Sequence, residues 1–196
     1  MSELLLGCGF SRQKLLANRG ENLEWKDLVT LDYNEKCNPD LLCNLDLYPT
    51  YVKERCHWNA YGRTENGKRC LDATGKITDN FFVEVHAYEV LEHLGTQGDA
   101  AAFFNCFANI HRVLVPGGFL FATVPSRHSP WAWGDPSHRR LIQQESLVFL
   151  SQKRVTANRA RGTQMSDFSE LWSLDFDIIA SADDHIYHKF CLQALK

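Results

Sequence analysis

Short apolar runs and amphipathic stretches alternate along the 196 residues of this chain. A continuous apolar run is typical of a strand buried on both faces of a parallel sheet, whereas a helical repeat of apolar positions is typical of a surface helix. Ser11 and Gly20 bracket one amphipathic stretch as an N-cap and a C-terminal stop. The pattern predicts strands at 4–6, 27–32, 40–46, 81–87 and 118–124, helices at 11–19 and 98–114, and an antiparallel hairpin around Asp183 and Asp184.

This alternation predicts an α/β fold, with a mostly parallel sheet covered by helices on both faces. The terminal hairpin makes the last strand antiparallel. Two segments interrupt the alternation: a polar, Gly- and Asn-rich insertion at 48–80, and an insertion at 126–172 with clustered Trp, Pro and His. Because long irregular segments in a compact domain are commonly functional, we expect the second insertion to face a substrate.

Composition narrows the class of protein. With 44% hydrophobic residues the chain can bury one core, and we expect residues 1–196 to form a single domain. The net charge of −3 gives no strong signal for nucleic-acid binding or for an anionic membrane. No run has the length of a membrane span or of a signal peptide. Seven scattered cysteines without a CxxC pair indicate a reduced, cytoplasmic protein, and Cys56, His57 and Cys70 match no common zinc spacing.

The first two predicted strands end on residues suited to a nucleoside. Gly7 and Gly9 follow the first strand, where the absence of a Cβ lets the chain turn tightly and a ligand approach the backbone. Asp32 ends the second strand, where a carboxylate can accept hydrogen bonds from a ribose diol. The glycine pattern alone is a weak signal, and it is the addition of Asp32 that favours nucleoside binding.

Four segments together resemble the motifs of class I S-adenosylmethionine-dependent methyltransferases: LLLGCG, LVTLD, EVHAYEVLEHL and IHRVLVPGGFLFATVPS, in this order between residues 4 and 126. The resemblance is greatest to small members whose first strand reads LNLGCG, including bacteriophage and bacterial forms. It implies a Rossmann-like sheet of seven strands, a methyltransferase activity and S-adenosylmethionine as cofactor. It further implies a set of cofactor-binding residues, namely Gly7, Cys8, Gly9, Asp32, Tyr33, Asn44, Leu45, Asp46, His86, Ala87 and Tyr88, with His86 to Tyr88 closing over the cofactor.

The chain departs from the family pattern at two positions near the first turn. Leu5 stands where many members carry an acid before the first glycine, and Ser11 stands where a dinucleotide fingerprint has its third glycine. These departures affect individual cofactor contacts more than the identity of the cofactor.

The methyl acceptor is harder to predict than the cofactor. Transfer from a sulfonium needs an aligned acceptor, and a nearby base helps when the acceptor must lose a proton. A helical turn in EVLEH would place two glutamates and a histidine on one face. The candidate bases are Glu89, Glu92, His93, His111, His128 and His138, of which we expect His93, His138 and Glu89 to be catalytic.

The ExxEH arrangement also resembles a metal-binding motif of some methyltransferases, those acting on the terminal 2′-hydroxyl of small RNAs and some ubiquinone-pathway O-methyltransferases. By that resemblance Glu89, Glu92, His93 and His138 would hold a divalent cation beside the acceptor. The alternative stays open, because VLEH is widespread in family members without a metal.

The segment WAWGDPSHRRL offers two further alternatives. Trp131 and Trp133 either form an aromatic wall for a planar acceptor or cap the sheet as a hydrophobic lid. Arg139 and Arg140 either bind a phosphate or carboxylate or are solvated residues at the start of a helix.

Three functions remain on sequence grounds. The first is methyl transfer to an oxygen or nitrogen acceptor on a small molecule, nucleotide, sugar or peptide. The second is a non-catalytic S-adenosylmethionine-binding module, and the third is a nicotinamide-dependent oxidoreductase, which shares the glycine turn and the acid. HAYE after the fourth strand lacks the Asp/Asn-Pro-Pro-aromatic motif, which argues against methylation of DNA amino groups.

Overall fold

A single mixed sheet runs through the computed structural model, which describes residues 2–46 and 57–196. Within these residues the sheet has eight strands in the order β4-β3-β2-β1-β5-β6-β8-β7. They are β1 (Ser2–Leu6), β2 (Leu28–Asp32), β3 (Leu41–Leu42), β4 (Tyr61–Gly62), β5 (Phe82–Tyr88), β6 (Leu114–Pro125), β7 (Asp175–Asp183) and β8 (Tyr187–Leu195).

The strand directions confirm the predicted fold class. The pairs β1–β2, β1–β5, β2–β3 and β5–β6 are parallel, and the last strand β8 is antiparallel to both β6 and β7. The short strand β4 pairs antiparallel with β3 and brings the number of strands to eight, one more than predicted. It lies in the predicted 48–80 insertion, where Trp58, Cys70 and Ile77 are buried in the core. Residues 57–80 are therefore packed against the sheet, and the rest of that insertion lies outside the described residues.

Five α-helices complete the described fold: α1 (Glu65–Lys68), α2 (Ala100–Val113), α3 (Trp131–Gly134), α4 (Gln144–Val148) and α5 (Gln152–Ala160). Asp99 caps α2 by accepting a hydrogen bond from the Ala102 amide. The apolar side of α2 joins the main core with Phe104, Phe107 and Ile110. No helix among the described residues has the length and apolar character needed to cross a lipid bilayer.

The helix predicted at 11–19 is absent, because other partners take up its backbone groups. Residues 11–18 have no regular secondary structure. The amides of Leu15 and Leu16 both donate to the Tyr88 hydroxyl at 3.2 Å, instead of to carbonyls within a helix. Trp25 donates its indole N–H to the Arg12 carbonyl. An amphipathic sequence thus forms an irregular strap on the face of the sheet that carries Leu5 and Tyr88.

Beneath this strap lies a buried ionic network that the sequence did not predict. The Lys14 ammonium is 3.2 Å from Glu3 Oε1 and 2.8 Å from Glu84 Oε2, and the side chains of all three are almost fully buried. His86 Nε2 lies 2.9 Å from the same Glu84 oxygen, and His86 Nδ1 lies 2.6 Å from the Tyr88 hydroxyl. A buried charge is tolerated only where partners surround it, so this network fixes the strap to β1 and β5.

We expect the network to make the fold sensitive to acid. Burial alone would raise the pKa of Glu84, but hydrogen bonds from His86 and Lys14 lower it to about 2. The ionised carboxylate therefore stabilises the fold at pH values above its unfolded pKa of about 4.3, by about 3 kcal/mol, and this is lost as pH falls towards 2. Urea unfolding measures the free energy of unfolding at pH 7 and at pH 3. The decrease in this free energy from pH 7 to pH 3 should be smaller in Glu84→Gln than in the wild type.

The matched control is Glu65→Gln, because the Glu65 side chain is 90% exposed. In this variant the free energy of unfolding should decrease from pH 7 to pH 3 by the same amount as in the wild type. An equal acid sensitivity in Glu84→Gln and the wild type would contradict the assignment of that sensitivity to Glu84.

Candidate functional site

A cleft of about 470 Å³ opens at the carboxyl ends of β1, β2, β3 and β5. In parallel sheets this edge is where ligands bind, and the volume lies in the range of small-molecule sites. The cleft brings together eight of the residues proposed from the sequence. These are Gly7, Asp32, Tyr33, Asn44, Leu45, Asp46, Glu89 and His93.

The turn after β1 needs glycine at its first position. Gly7 has a φ of +57°, and a Cβ built there would lie 2.5 Å from Val90 Cγ2. Gly9 has a φ of +50° but open space around the position of a Cβ. The Cys8 amide donates to the Leu31 carbonyl at 3.1 Å, which joins the turn to β2. Close packing of Val90 against the turn thus explains Gly7, and backbone conformation alone explains Gly9.

Asp32 lines the cleft and joins the Gly7–Gly9 turn to the segment after β2. Its Oδ2 accepts a hydrogen bond from the Gly9 amide at 2.8 Å, and its Oδ1 accepts one from the Asn34 amide at 2.8 Å. The residue is 6% exposed and lines the cleft. Each carboxylate oxygen keeps acceptor capacity for a further donor, such as one hydroxyl of a diol.

We expect Asp32→Ala to weaken binding of a ribose-containing ligand by about 1–3 kcal/mol, because buried hydroxyls would lose their acceptor. Asp40→Ala is the matched control. The Asp40 carboxylate accepts hydrogen bonds from the Thr30 amide and hydroxyl but does not line the cleft. Calorimetric titration with S-adenosylhomocysteine should give weaker binding for Asp32→Ala alone. Equal affinity in both variants would show that the ribose lies elsewhere.

Three residues predicted to close over the cofactor have side chains elsewhere. The rings of His86 and Tyr88 belong to the buried network under the strap, and Ala87 is buried in the main core. Strand alternation places His86 and Tyr88 on the face of the sheet that carries Leu5, and Ala87 on the opposite face with Leu6. The Cys8 side chain is buried with Leu5 and Cys37, so at this turn only the backbone faces the cleft edge.

Beside the cleft, Glu92, His93 and His138 form an acid–imidazole cluster. Glu92 Oε1 lies 3.9 Å from Nε2 of both His93 and His138, and the two rings meet edge to face at 4.8 Å. His93 Nδ1 lies 3.1 Å from the Ser137 carbonyl, which assigns the proton to Nδ1 and leaves the Nε2 lone pair facing Glu92. One ligand atom from each residue falls within 4.8 Å of the others.

Polar atoms in and beside this cluster lack partners within the described part of the chain. They are Glu92 Oε1 and Oε2, Glu89 Oε1 and His138 Nδ1. Burial, with a smaller effect of Glu89, raises the pKa of Glu92 to about 8. Burial also raises the pKa of Glu89, and that residue has a left-handed backbone with a φ of +53°. Unpaired buried groups and backbone strain at one place are features of functional sites.

Comparison with solved structures identifies the fold. No protein-family model matches the sequence, and no curated protein does. The structure is similar to the N-methyltransferase NodS from Bradyrhizobium japonicum, with a TM-score of 0.51, 12% identity and coverage of 100% of this chain and 78% of that one. It is also similar to 1,6-didemethyltoxoflavin-N1-methyltransferase from Burkholderia thailandensis, with a TM-score of 0.50, 12% identity and coverage of 100% and 71%.

The chain has the fold of class I S-adenosylmethionine-dependent methyltransferases. Both of these neighbours were solved with S-adenosylhomocysteine bound, and the second also with 1,6-didemethyltoxoflavin. Identity near 12% shows the fold alone, so the closer resemblance to LNLGCG-type members stays a prediction.

Within this methyltransferase fold, the other candidate bases lie away from the cluster. His111 is buried with Nε2 3.0 Å from the Leu195 carbonyl, and His128 lies beside His185 near the β7–β8 turn. Glu89 lines the cleft but is not part of the Glu92–His93–His138 group. The four-residue metal set from the sequence is thus a three-residue group with Glu89 as a neighbour.

The two alternatives for the WAWGDPSHRRL segment are partly resolved. Trp131 and Trp133 are 68% and 67% exposed on α3, which argues against a lid packed on the sheet. Arg140 is buried and bonds backbone carbonyls, whereas Arg139 pairs with Asp46 at the cleft. Neither arginine is a freely solvated residue.

Some cleft residues were not proposed from the sequence. They are Leu31, Cys43, Val90, Leu94 and Ser137. Val90 and Leu94 belong to the VLEHL segment, and Ser137 precedes His138. These three cleft residues could therefore have been found as sequence neighbours of the proposed polar residues.

Proposed function

We propose that this protein is a methyltransferase that transfers the methyl group of S-adenosylmethionine to an oxygen or nitrogen acceptor. The acceptor belongs to a small molecule, nucleotide, sugar or peptide, and the whole chain acts as one domain. The observation that carries the proposal is the cleft at the carboxyl edge of a methyltransferase fold, with the Gly7 turn and Asp32 at its end. A reduced, cytoplasmic location belongs to the same proposal and is supported by six buried free cysteines among the described residues.

The cleft suits the two ends of the cofactor. The Gly7–Gly9 turn would approach the methionine part, and Asp32 would accept hydrogen bonds from the ribose hydroxyls. Asn44, Leu45 and Asp46, after β3, would flank the adenine. Asp46 is already fixed there, since its Oδ1 accepts a hydrogen bond from the Gly95 amide at 2.6 Å.

The residues beside the cleft fit a divalent cation. Ions of this kind bind imidazole nitrogen and carboxylate oxygen, and the unpaired Oε1 of Glu92 lies 3.9 Å from Nε2 of both imidazoles. The Ser137 carbonyl orients His93 in the way that metal-bound histidines are usually oriented. Glu92, His93 and His138 would hold the ion, with Glu89 adjacent. When bound, such an ion would act as a Lewis acid on an acceptor oxygen.

The reaction forms a bond from the acceptor to the methyl carbon, breaks the sulfur–methyl bond and leaves S-adenosylhomocysteine. The chain's own contribution is to hold the acceptor in line with the sulfonium and to take its proton. Glu89 suits the role of base, because it lines the cleft and its raised pKa makes its carboxylate a stronger base. His93 and His138 would hold the ion beside this base, and these roles favour a hydroxyl acceptor.

The test is production of S-adenosylhomocysteine during incubation with S-adenosylmethionine and panels of alcohol, phenol, sugar, nucleoside and amine acceptors, with Mg²⁺, Mn²⁺ or EDTA. We expect turnover with a hydroxyl acceptor that EDTA abolishes and added metal restores. Binding of S-adenosylhomocysteine without turnover on any acceptor would favour a non-catalytic binding module. A turnover rate unchanged by EDTA would contradict the proposed cation site but would still support methyl transfer.

A further inference from the structure

Arg140 is a buried cation whose hydrogen bonds go to backbone carbonyls. It is 9% exposed, and its guanidinium donates to the carbonyls of Leu94, Thr96 and Asp99 at 2.8, 2.9 and 3.0 Å. It also lies 5.4 Å from the centre of the Phe103 ring. A planar guanidinium with five donors can hold three carbonyls of one loop in fixed directions.

The backbone around Arg140 is bonded to Glu92. The amides of Arg139 and Arg140 both donate to the Glu92 carbonyl, at 2.8 and 3.0 Å. The Gln97 amide donates to the Arg139 carbonyl at 2.8 Å, and Gln97 Oε1 accepts from the Leu141 amide at 2.9 Å. The 92–99 loop, which carries Glu92 and His93, is therefore tied at several points to the 137–141 segment, which carries His138.

Gly95 shows how closely the loop surrounds the guanidinium. A Cβ built on Gly95 would lie 2.8 Å from Arg140 Nη2 and 2.8 Å from Ala102 Cβ. Gly95 also has a φ of +67°. The loop thus approaches the arginine at a distance that glycine permits and a side chain does not.

We propose that Arg140 is a positioning residue that fixes His138 against Glu92 and His93, and so sets the affinity of the three side chains for a divalent cation. The inference rests on the cation of the proposed function. Arg140 does not touch the ion in this account, since its Nε and Nη2 groups donate to carbonyls of the 92–99 loop. It acts by joining the two segments that carry the ligands, as outer partners of metal ligands do.

The test is calorimetric titration of the folded protein with Mn²⁺ and, separately, with S-adenosylhomocysteine. Arg140→Lys keeps the charge but replaces the planar fork by one ammonium group. We expect Mn²⁺ affinity to fall by about 10-fold or more. Affinity for S-adenosylhomocysteine should fall by a smaller factor, because His93 and Leu94 of the same loop line the cleft. The matched control is Arg154→Lys, on an exposed position of α5, which should change neither affinity.

Gln97→Ala covers the case in which Arg140→Lys fails to fold. Gln97 is exposed, and its removal takes away one bond between the same two segments, so we expect a smaller, several-fold loss of Mn²⁺ affinity. Wild-type Mn²⁺ affinity in Arg140→Lys, or in Gln97→Ala if that variant is needed, would overturn the inference. A wild-type protein that binds S-adenosylhomocysteine but no Mn²⁺ would overturn the cation site and the inference together and leave methyl transfer intact. Binding of neither would refute the proposed function itself.

Discussion

Replacing Glu92 by Gln should lower turnover by about 10²- to 10⁴-fold, the range for loss of a group that acts at the reacting centre. An amide cannot supply the negative charge with which the Glu92 carboxylate would bind a cation beside the two imidazoles. The fold should survive, because with a pKa near 8 the Glu92 carboxyl is largely uncharged at neutral pH in the absence of a partner. Gln copies the size and charge of that uncharged form. Steady-state rates, together with thermal unfolding of both proteins, measure the two effects.

The control for this substitution is Glu170→Gln, the same chemical change at an exposed position outside the cleft. It should leave the rate unchanged. If Glu92→Gln keeps the wild-type rate, the acid–imidazole cluster is a structural feature of the fold and takes no part in turnover.

Replacing Gly7 by Ala should weaken binding of S-adenosylhomocysteine by about 100-fold, close to 3 kcal/mol. The added Cβ would lie 2.5 Å from Val90 Cγ2, and the positive φ of Gly7 adds strain for any L-residue. Either Val90 or the turn must move, and both line the cleft. Calorimetric titration of the folded variant measures the loss.

Gly20→Ala is the control, because it introduces the backbone strain of a positive φ without a steric clash. Gly20 has a φ of +90° with open space where a Cβ would lie, and it is exposed away from the cleft. This variant should lose about 1 kcal/mol of stability with no change in affinity. Equal affinity in Gly7→Ala and the wild type would mean that the turn does not approach the ligand.

The positions of several strands were predictable, because apolar runs are a direct signal of buried parallel strands. The runs at Leu4–Leu6 and 118–124 lie within β1 and β6, and the hairpin around Asp183 has the predicted antiparallel form. The helix at 11–19 was not predictable from local signals. Its cap and stop residues are present, but the Tyr88 hydroxyl competes for the amides of Leu15 and Leu16. Contacts with a residue more than 70 positions away do not appear in a local pattern.

The network of Lys14, Glu3 and Glu84 was missed for a similar reason. A charged residue next to an apolar run is usually solvated, and only the fold brings these three into one buried group. Glu3 and Glu84 pair directly in the register of β1 and β5, which could be inferred only once the strand order was known.

The candidate site divides in the same way. Residues at strand ends, such as Asp32 and Gly7, could be placed from the sequence, because parallel strands bring their carboxyl ends to one edge. His86 and Tyr88 could not, because assigning the face of a side chain requires the register of β5, and a shift of one residue reverses the face. The meeting of His138 with Glu92 depends on the path of the 126–141 segment, which no periodicity encodes. That meeting was proposed only through family resemblance.

The most direct test of the account is calorimetric titration of the wild-type protein and of Asp32→Ala with S-adenosylhomocysteine and with NADH. The account predicts saturable, one-to-one binding of S-adenosylhomocysteine by the wild type, weaker binding by Asp32→Ala and no binding of NADH by either. Preferential binding of NADH, or no heat of binding with S-adenosylhomocysteine, would contradict the assignment of the cleft to the adenosyl cofactor.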